Sequence, residues 1–322
     1  MNRALRVVAR RAVAAVPTFL FVALAAFALL ELAPGDAADA YLAVTGGDQG
    51  YAAELRRAFG LAASWPERLA GFLGNLLVFD LGRSVVFNRP VAAVVLERLP
   101  NTLMLMAATL LVAAGLGTLL GVLAGARPGG LRDRIVSTTA LGLLAMPNFW
   151  LSLLLILVFV VHAGWFPIGG IRTIGGPGGA LDVLHHLVLP AIALGAGYIA
   201  LYLRTLRAGM VEAWRGDHVR ASQARGMRRR VIVWRDVARP ALLPVVVLLG
   251  QHMGTLVGGS VVVETVFAIP GMGRLAYEAV VGRDALVLVA VLLVATIVVM
   301  LANLAVDLLL VRLDPRIASA DD

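Results

Sequence analysis

The stretch ALVLVAVLLVATIVVMLANLAVDLLLV, residues 285–311, decides the fold class of this protein. Its single charged residue is Asp307, which lies close to its end. At about 1.5 Å per residue, a helix of this length exceeds the roughly 30 Å hydrocarbon core of a bilayer. The stretch therefore predicts a membrane-spanning helix.

Five other stretches are also long and apolar. The chain has 322 residues, of which 60% are hydrophobic and 15% are charged, whereas about 25% of a typical soluble domain is charged. The run after the N-terminal arginines exceeds the apolar core of a signal peptide, so we expect it to remain as the first span. The sequence predicts an all-α integral membrane protein with six transmembrane helices, at residues 12–32, 101–126, 135–161, 187–203, 241–263 and 285–311.

Two residue types, Cys and Lys, are absent from the chain. Without Cys there is no thiol nucleophile, disulfide or Cys-ligated metal. Without Lys there is no Walker A lysine, which excludes an ATPase with the usual phosphate-binding loop. The five histidines lack a metal-ligand spacing such as HExxH. We therefore expect no ATPase site, no metal and no cofactor in this chain.

The 28 arginines indicate the orientation of the spans. With the N-terminus in the cytoplasm, 19 of them fall on the cytoplasmic side, and six of the nine others lie in one long external loop. Such a bias predicts that both termini are cytoplasmic. The net charge of +8 is then a topology signal, and we expect no binding to nucleic acid.

The predicted organisation has four parts. These are an N-terminal stub with the first span (1–32), an external loop with amphipathic helices (33–100), a five-span core (101–311) that includes a cytoplasmic loop (204–239), and a cytoplasmic tail (312–322). The external loop carries apolar residues at helical spacing, which either cover the bundle or dock a partner: Leu69, Phe72, Leu73, Leu76, Leu77, and then Val91, Val94, Val95 and Leu99.

Two residue patterns stand out within the predicted spans. On the fifth span, His252, Thr255 and Gly259 share one face. Such a face lines a water-filled path or forms interhelical hydrogen bonds. Glycines at four-residue spacing predict two helix-packing seams, one of Gly117, Gly121 and Gly125 and one of Gly250, Gly254 and Gly258.

The cytoplasmic loop 204–239 is too polar to cross the membrane. An apolar pattern predicts one amphipathic helix, and Gly226 predicts a turn that ends it. A second helix over 231–238 follows the arginines. This helix–turn–helix either docks a partner or lies on lipid headgroups. The residues of the first pattern are Val211, Trp214, His218, Val219 and Ser222.

The loop DHVRASQARGMRRRVIVWRDVARPALLP, residues 217–244, resembles the coupling loop of ABC-importer permeases of the peptide/nickel group. In that family an EAA…G pattern contacts the ATPase, and Arg220 stands here where the family has Glu. The residues that match this pattern or follow it are Arg220, Ala221, Ser222, Gly226, Met227, Arg228, Arg229 and Arg230.

Short motifs in the family's order extend the resemblance over most of the chain. FDLGRS (79–84) is similar to the family's GDLGxS, with Phe79 where glycine is usual. The other matching segments are PGD (34–36), ERLPNTL (97–103), MPNFW (146–150), ETVFAIPGMGRL (264–275) and LDPRI (313–317).

The resemblance implies the permease subunit of an importer in the cytoplasmic membrane of a prokaryote, forming half of the pathway for di- or oligopeptides. It implies as partners a homologous second permease, two cytoplasmic ABC ATPase subunits or domains that bind ATP, an external solute-binding protein and the lipid bilayer.

Two other functions stay open at this stage. One is an ion-gradient-driven secondary transporter, although Glu31 and Asp307, the acids within the spans, lie near span ends. The other is a membrane enzyme, which would need a cluster of catalytic groups.

Overall fold

The computed structural model describes residues 3–32, 63–176 and 178–313. Motif residues 34–36, the external loop up to residue 62 and residues 314–317 lie outside this part. The described residues are helical and contain no β-strand beyond one isolated bridge. The helices are α1 (Arg3–Leu32), α2 (Trp65–Leu77), α3 (Val91–Gly125), α4 (Leu131–Ala145), α5 (Asn148–Leu155, continued by a π-helix Ile156–His162), α6 (Ala180–Ala213), α7 (Asp217–Ala224), α8 (Arg229–Ile232, continued by a π-helix Val233–Ala238), α9 (Arg239–Val266), α10 (Met272–Val281) and α11 (Ala285–Leu313).

Helices long and apolar enough to span a membrane account for four to six crossings. Four stand alone, within α1, α3, α6 and α11. Two more crossings come from bent pairs, one formed by α4 with α5 and its π-helix (110°) and one over residues 229–266 (65°). The described part of the chain is thus all-helical, with four candidate spans, or six if each bent pair crosses once.

The predicted span 135–161 is not one straight helix, because the chain breaks at Met146 and Pro147. Met146 is extended (ψ 126°), and Pro147 lies in the N-cap position of α5. A proline restricts the preceding residue to extended backbone and has no N–H for a continuing helix. The segment MPNFW is therefore the corner between α4 and α5.

α3 begins at Val91, ten residues before the predicted span, and contains Pro100. The second apolar stripe of the predicted external loop is thus the first part of a long helix. Val91, Val94 and Val95 are buried against α10 and α11. This burial stabilises the early turns although Pro100 removes one backbone hydrogen bond.

The described residues form two compact units. The first contains α1, α2, the start of α3, α10 and α11. In it, α2 packs on α1: Phe27 lies 5.7 Å from the Trp65 ring and 5.5 Å from the Phe72 ring, and Arg68 forms an ion pair with Glu31. Leu73 and Leu76 pack in the same cluster, so most of the first apolar stripe covers the helix bundle.

The second unit, Leu103–Ile269, is organised around α6, which contacts α4, α5 and α9. α3 also lies close to α6 along the first glycine row. An added Cβ would lie 2.8 Å from Tyr202 at Gly117, 3.0 Å from Leu206 at Gly121 and 2.7 Å from the Met210 sulfur at Gly125. Glycine allows this close approach.

The second glycine row is different at Gly258, where no other heavy atom of the described structure lies within 4 Å of an added Cβ. The packing role of Gly250, Gly254 and Gly258 stays a prediction.

Candidate functional site

The loop predicted over residues 204–239 contains the end of α6, the whole of α7 and the short helix α8. α6 ends at Ala213, the chain turns at Trp214–Gly216, and α7 runs from Asp217 to Ala224. The single amphipathic helix predicted over 211–222 is therefore wrong. Gly216 is extended (φ −70°, ψ 145°) and begins α7 as its N-cap, a position that glycine tolerates well.

Gly226 ends α7 in a Schellman turn. Its amide donates to Gln223 O (2.9 Å), and the amide of Met227 donates to Ser222 O (3.2 Å). The φ of Gly226 is +74°, in the left-handed region where glycine carries no Cβ penalty. No atom lies within 4 Å of an added Cβ, so the backbone angle alone calls for glycine here.

Three other helix ends have the same pair of hydrogen bonds with a residue other than glycine in the left-handed position. These residues are Phe79 (φ +56°), Ala268 (φ +52°) and Arg283 (φ +53°). The turn at Gly226 thus forms at the lowest backbone cost among these four.

One face of α7 is anchored in the second unit. Val219 (0% exposed) and Ser222 (1%) are buried, and Val219 packs with Ile232 and Val237. The side chain of Met227 packs against the same cluster.

The opposite face of α7 is open. Arg220 and Ala221 are exposed, and Arg220 pairs with Asp217 at 3.2 Å. The helix therefore has one buried, packed face and one exposed, charged face.

The three consecutive arginines differ in their surroundings. Arg229 donates to Ala126 O (3.0 Å), and its guanidinium carbon lies 5.2 Å from the centre of the Trp214 ring. Arg228 and Arg230 are exposed and form no side-chain hydrogen bond or ion pair with any residue that the structure describes. The local sequence alone does not distinguish them.

The predicted path residues lie in a polar cluster between α6 and α9. Thr255 bonds the Tyr198 hydroxyl (3.0 Å), and the Tyr202 hydroxyl lies 3.3 Å from His252 Nδ1. The Tyr198 ring is 5.0 Å from the His252 ring. Gly259 lies beside Leu194, whose Cδ1 is 3.3 Å from an added Cβ.

Tyr198 and Tyr202 are not among the predicted site residues, although they have the i, i+4 spacing of one helix face. No group of three or more His, Asp or Glu side chains within residues 3–32, 63–176 and 178–313 is placed to hold a metal ion.

Residues 117–319 match a family model described as "Binding-protein-dependent transport system inner membrane component". The chain belongs to this family. It is the permease subunit of an importer, as the resemblance of its motifs implied, and a multi-pass protein of the membrane.

Curated relatives match this permease over almost its whole length. It is 33% identical over 311 residues to the oligopeptide transport system permease protein AppB of Bacillus subtilis (96% of this chain, 98% of the relative). It is 36% identical over 329 residues to the di/tripeptide transport system permease protein DppB of Pseudomonas aeruginosa (96% and 98%). It is 35% identical over 308 residues to the glutathione transport system permease protein GsiC of Pectobacterium atrosepticum (96% and 97%).

Solved structures share the fold of this permease. An inward-facing structure of the MetNI methionine ABC transporter superposes with a TM-score of 0.53 at 23% identity, covering 70% of this chain and 95% of that one. A second crystal form gives a TM-score of 0.54 at 24% identity, with the same coverage. At this identity the likeness concerns the fold alone.

A buried ion pair in the second unit of the permease escaped the sequence analysis. Asp133 (side chain 3% exposed) forms a two-pronged salt bridge with Arg207 and accepts the Gly129 amide (2.8 Å) and the Ser137 hydroxyl (3.2 Å). This network ties the start of α4 to α6. No local pattern could pair residues 74 positions apart.

The FDLGRS motif of the permease has a structural role in the first unit. The Ser84 hydroxyl and the Val86 amide (3.2 Å) both donate to Asp284, which precedes α11. Asp284 also accepts the Val287 amide at 3.3 Å and so caps that helix. Ser84 and Asp284 are both buried, so the motif fastens the segment before α3 to the start of α11.

Proposed function

We propose that this permease pairs with a homologous second permease and forms half of an ATP-driven import pathway for di- and oligopeptides. The match to peptide permeases over 96% of the chain carries the substrate class. An external solute-binding protein delivers the peptide, and two cytoplasmic ABC ATPase subunits or domains supply the energy. The permease itself binds no ATP.

In this proposal the ATPase docks on α7 and the Gly226 turn. Two properties of this segment support it. Its inner face is packed in the second unit through the buried Val219 and Ser222. A force on the outer face is therefore transmitted to the helices of that unit. Its outer face carries exposed arginines, including Arg220, Arg228 and Arg230, which suit an acidic partner surface.

We further propose six crossings, with each bent pair passing once and both termini in the cytoplasm. The arginine bias supports this orientation. It puts α7 on the cytoplasmic side with the ATPase. It puts the loop 33–100, with α2, on the external side with the binding protein. In this arrangement the external loop precedes a five-span core at 101–311. The tail, 312–322, is cytoplasmic.

In this proposal Tyr198, His252 and Thr255 line the pathway, the buried Tyr202 contacts His252, and Gly259 leaves room beside them. Their hydroxyl and imidazole groups donate and accept hydrogen bonds, as a peptide backbone requires. Tyr202 is buried whereas Thr255 is exposed, and the Tyr198–Thr255 and Tyr202–His252 hydrogen bonds satisfy these groups between transport events.

Reconstitution tests the proposal. The permease, its companion permease, the ATPases and the binding protein are placed in proteoliposomes, and uptake of radiolabelled Ala-Ala and of a labelled tetrapeptide is measured. We expect uptake that requires ATP and all four components. Uptake driven by a proton or sodium gradient without ATP would identify a secondary transporter and overturn the proposal.

A further inference from the structure

Two side chains of the segment around α7 bind the C-terminal end of α3. The Trp214 indole N–H donates to Gly125 O (2.9 Å), and the Arg229 guanidinium donates to Ala126 O (3.0 Å). The last carbonyls of a helix lack intrahelical partners and carry partial negative charge. An indole N–H and a guanidinium group are therefore well suited to this helix end.

The two donors also contact each other. The Arg229 guanidinium lies over the Trp214 ring at 5.2 Å, within the range of a cation–π interaction. Gly125 at the same helix end lies against Met210 of α6, where an added Cβ would be 2.7 Å from the sulfur. The end of α3 is thus enclosed by α6, Trp214 and Arg229.

The positions of the donors along the chain give this contact its meaning. Trp214 follows α6, three residues before α7 begins at Asp217, and Arg229 follows the Gly226 turn that ends α7. The segment from α7 through the turn is therefore attached at both of its ends to the same end of α3. A displacement of the whole segment from Trp214 to Arg229 either moves the end of α3 or breaks these hydrogen bonds.

We propose that Trp214 and Arg229 are positioning residues that transmit displacement of α7 to the membrane helix α3. This inference rests on the proposed function, in which the ATPase moves α7. It separates Arg229 from its neighbours Arg228 and Arg230, which form no side-chain hydrogen bond or ion pair with the described residues.

Arg229→Lys is the central variant. Lysine keeps the charge but lacks the planar group that stacks on an indole while donating to a carbonyl. We expect peptide uptake to fall about tenfold while ATP hydrolysis continues, so that the ATP consumed per imported peptide rises by about the same factor. The amount of permease in the membrane and of copurified ATPase should not change.

Trp214→Phe is the second variant. It keeps a ring for Arg229 but removes the N–H donor, and we expect about a threefold fall in uptake per ATP. Because the two side chains act on one helix end, the double variant should lose less than the product of the two single effects. If Arg229→Lys fails to reach the membrane, Trp214→Phe alone decides the question.

Arg132→Lys is the matched control, at an exposed arginine of α4 with no side-chain hydrogen bond or ion pair to the described residues. Equal uptake per ATP in Arg229→Lys and Arg132→Lys overturns the inference. Loss of copurified ATPase from Arg229→Lys also overturns it, since Arg229 would then be an ATPase contact. A parent transporter without ATP-dependent uptake overturns the proposed function and this inference together.

Discussion

Replacing Gly226 by valine tests the turn that ends α7. At φ +74° an L-residue costs about 1–2 kcal/mol, and a β-branched one about 1–3 kcal/mol. No neighbouring atom lies within 4 Å of an added Cβ, so the expected cost comes from the backbone angle. Ala268 adopts φ +52° in a turn of the same type at the end of α9, so Gly226→Ala should keep the fold. We expect Gly226→Val to cost about 2 kcal/mol, or roughly a thirtyfold shift away from the native turn.

Transport and protease sensitivity measure this shift. The predicted apolar spans end at residue 203 and begin again at residue 241, so Gly226→Val should reach the membrane in normal amount. Peptide uptake and substrate-stimulated ATP hydrolysis should fall, with Gly226→Ala between the variant and the parent. Arg225 and Arg228 flank the turn, so trypsin should cleave there faster in inside-out vesicles when the turn opens.

Gly175→Val is the matched control. Gly175 also has φ +74° and open space around an added Cβ, but it lies in the glycine-rich segment between α5 and α6. It therefore carries the same backbone cost away from α7. A Gly226→Val permease with parental uptake and parental ATPase stimulation would refute the role of the turn. Equal loss in both variants would show that the effect is one of general stability.

The remaining predictions concern topology, strain and packing. An impermeant maleimide should label Ser64→Cys but not Ala221→Cys in intact cells, since both positions are exposed and the chain has no other cysteine; equal labelling without lysis contradicts the six-span arrangement. Phe79→Gly should raise the free energy of unfolding by about 1 kcal/mol by relieving φ +56°, and an unchanged or lower Tm would contradict this. Leu73→Asp should reduce the amount of folded permease, because it puts a charge among packed apolar groups at a cost of several kcal/mol, whereas Leu77→Asp, at an 86% exposed position, should not; solubilisation and size-exclusion chromatography compare the two.

The amino-acid sequence by itself determined the features that depend on local properties. Hydropathy located every candidate span, because the length of an apolar run directly sets whether it can cross a bilayer. The turn at Gly226 was also readable, because glycine is the residue that adopts a positive φ at the end of a helix without strain. The family followed from short motifs whose order and spacing are specific.

Proline has opposite effects at two positions in the predicted spans. Pro147 breaks the span predicted over 135–161, while Pro100 lies inside α3 without ending it. The difference is tertiary: Val91 and Val94, before Pro100, are buried and hold the early turns in place. Proline alone does not tell which outcome applies, because burial of neighbouring side chains outweighs one lost hydrogen bond.

Only the tertiary structure decided which distant side chains meet. Three sets of contacts join residues that are far apart in the chain. They are the Asp133–Arg207 ion pair, the Tyr202–His252 contact, and the hydrogen bonds of Trp214 and Arg229 to the end of α3. Each pairing depends on the position and angle at which two helices cross. The sequence of one helix alone does not specify which residues of another helix it contacts. The sequence thus indicated most of the apolar helices and the turn at Gly226, whereas packing decided which arginine of three binds the end of α3.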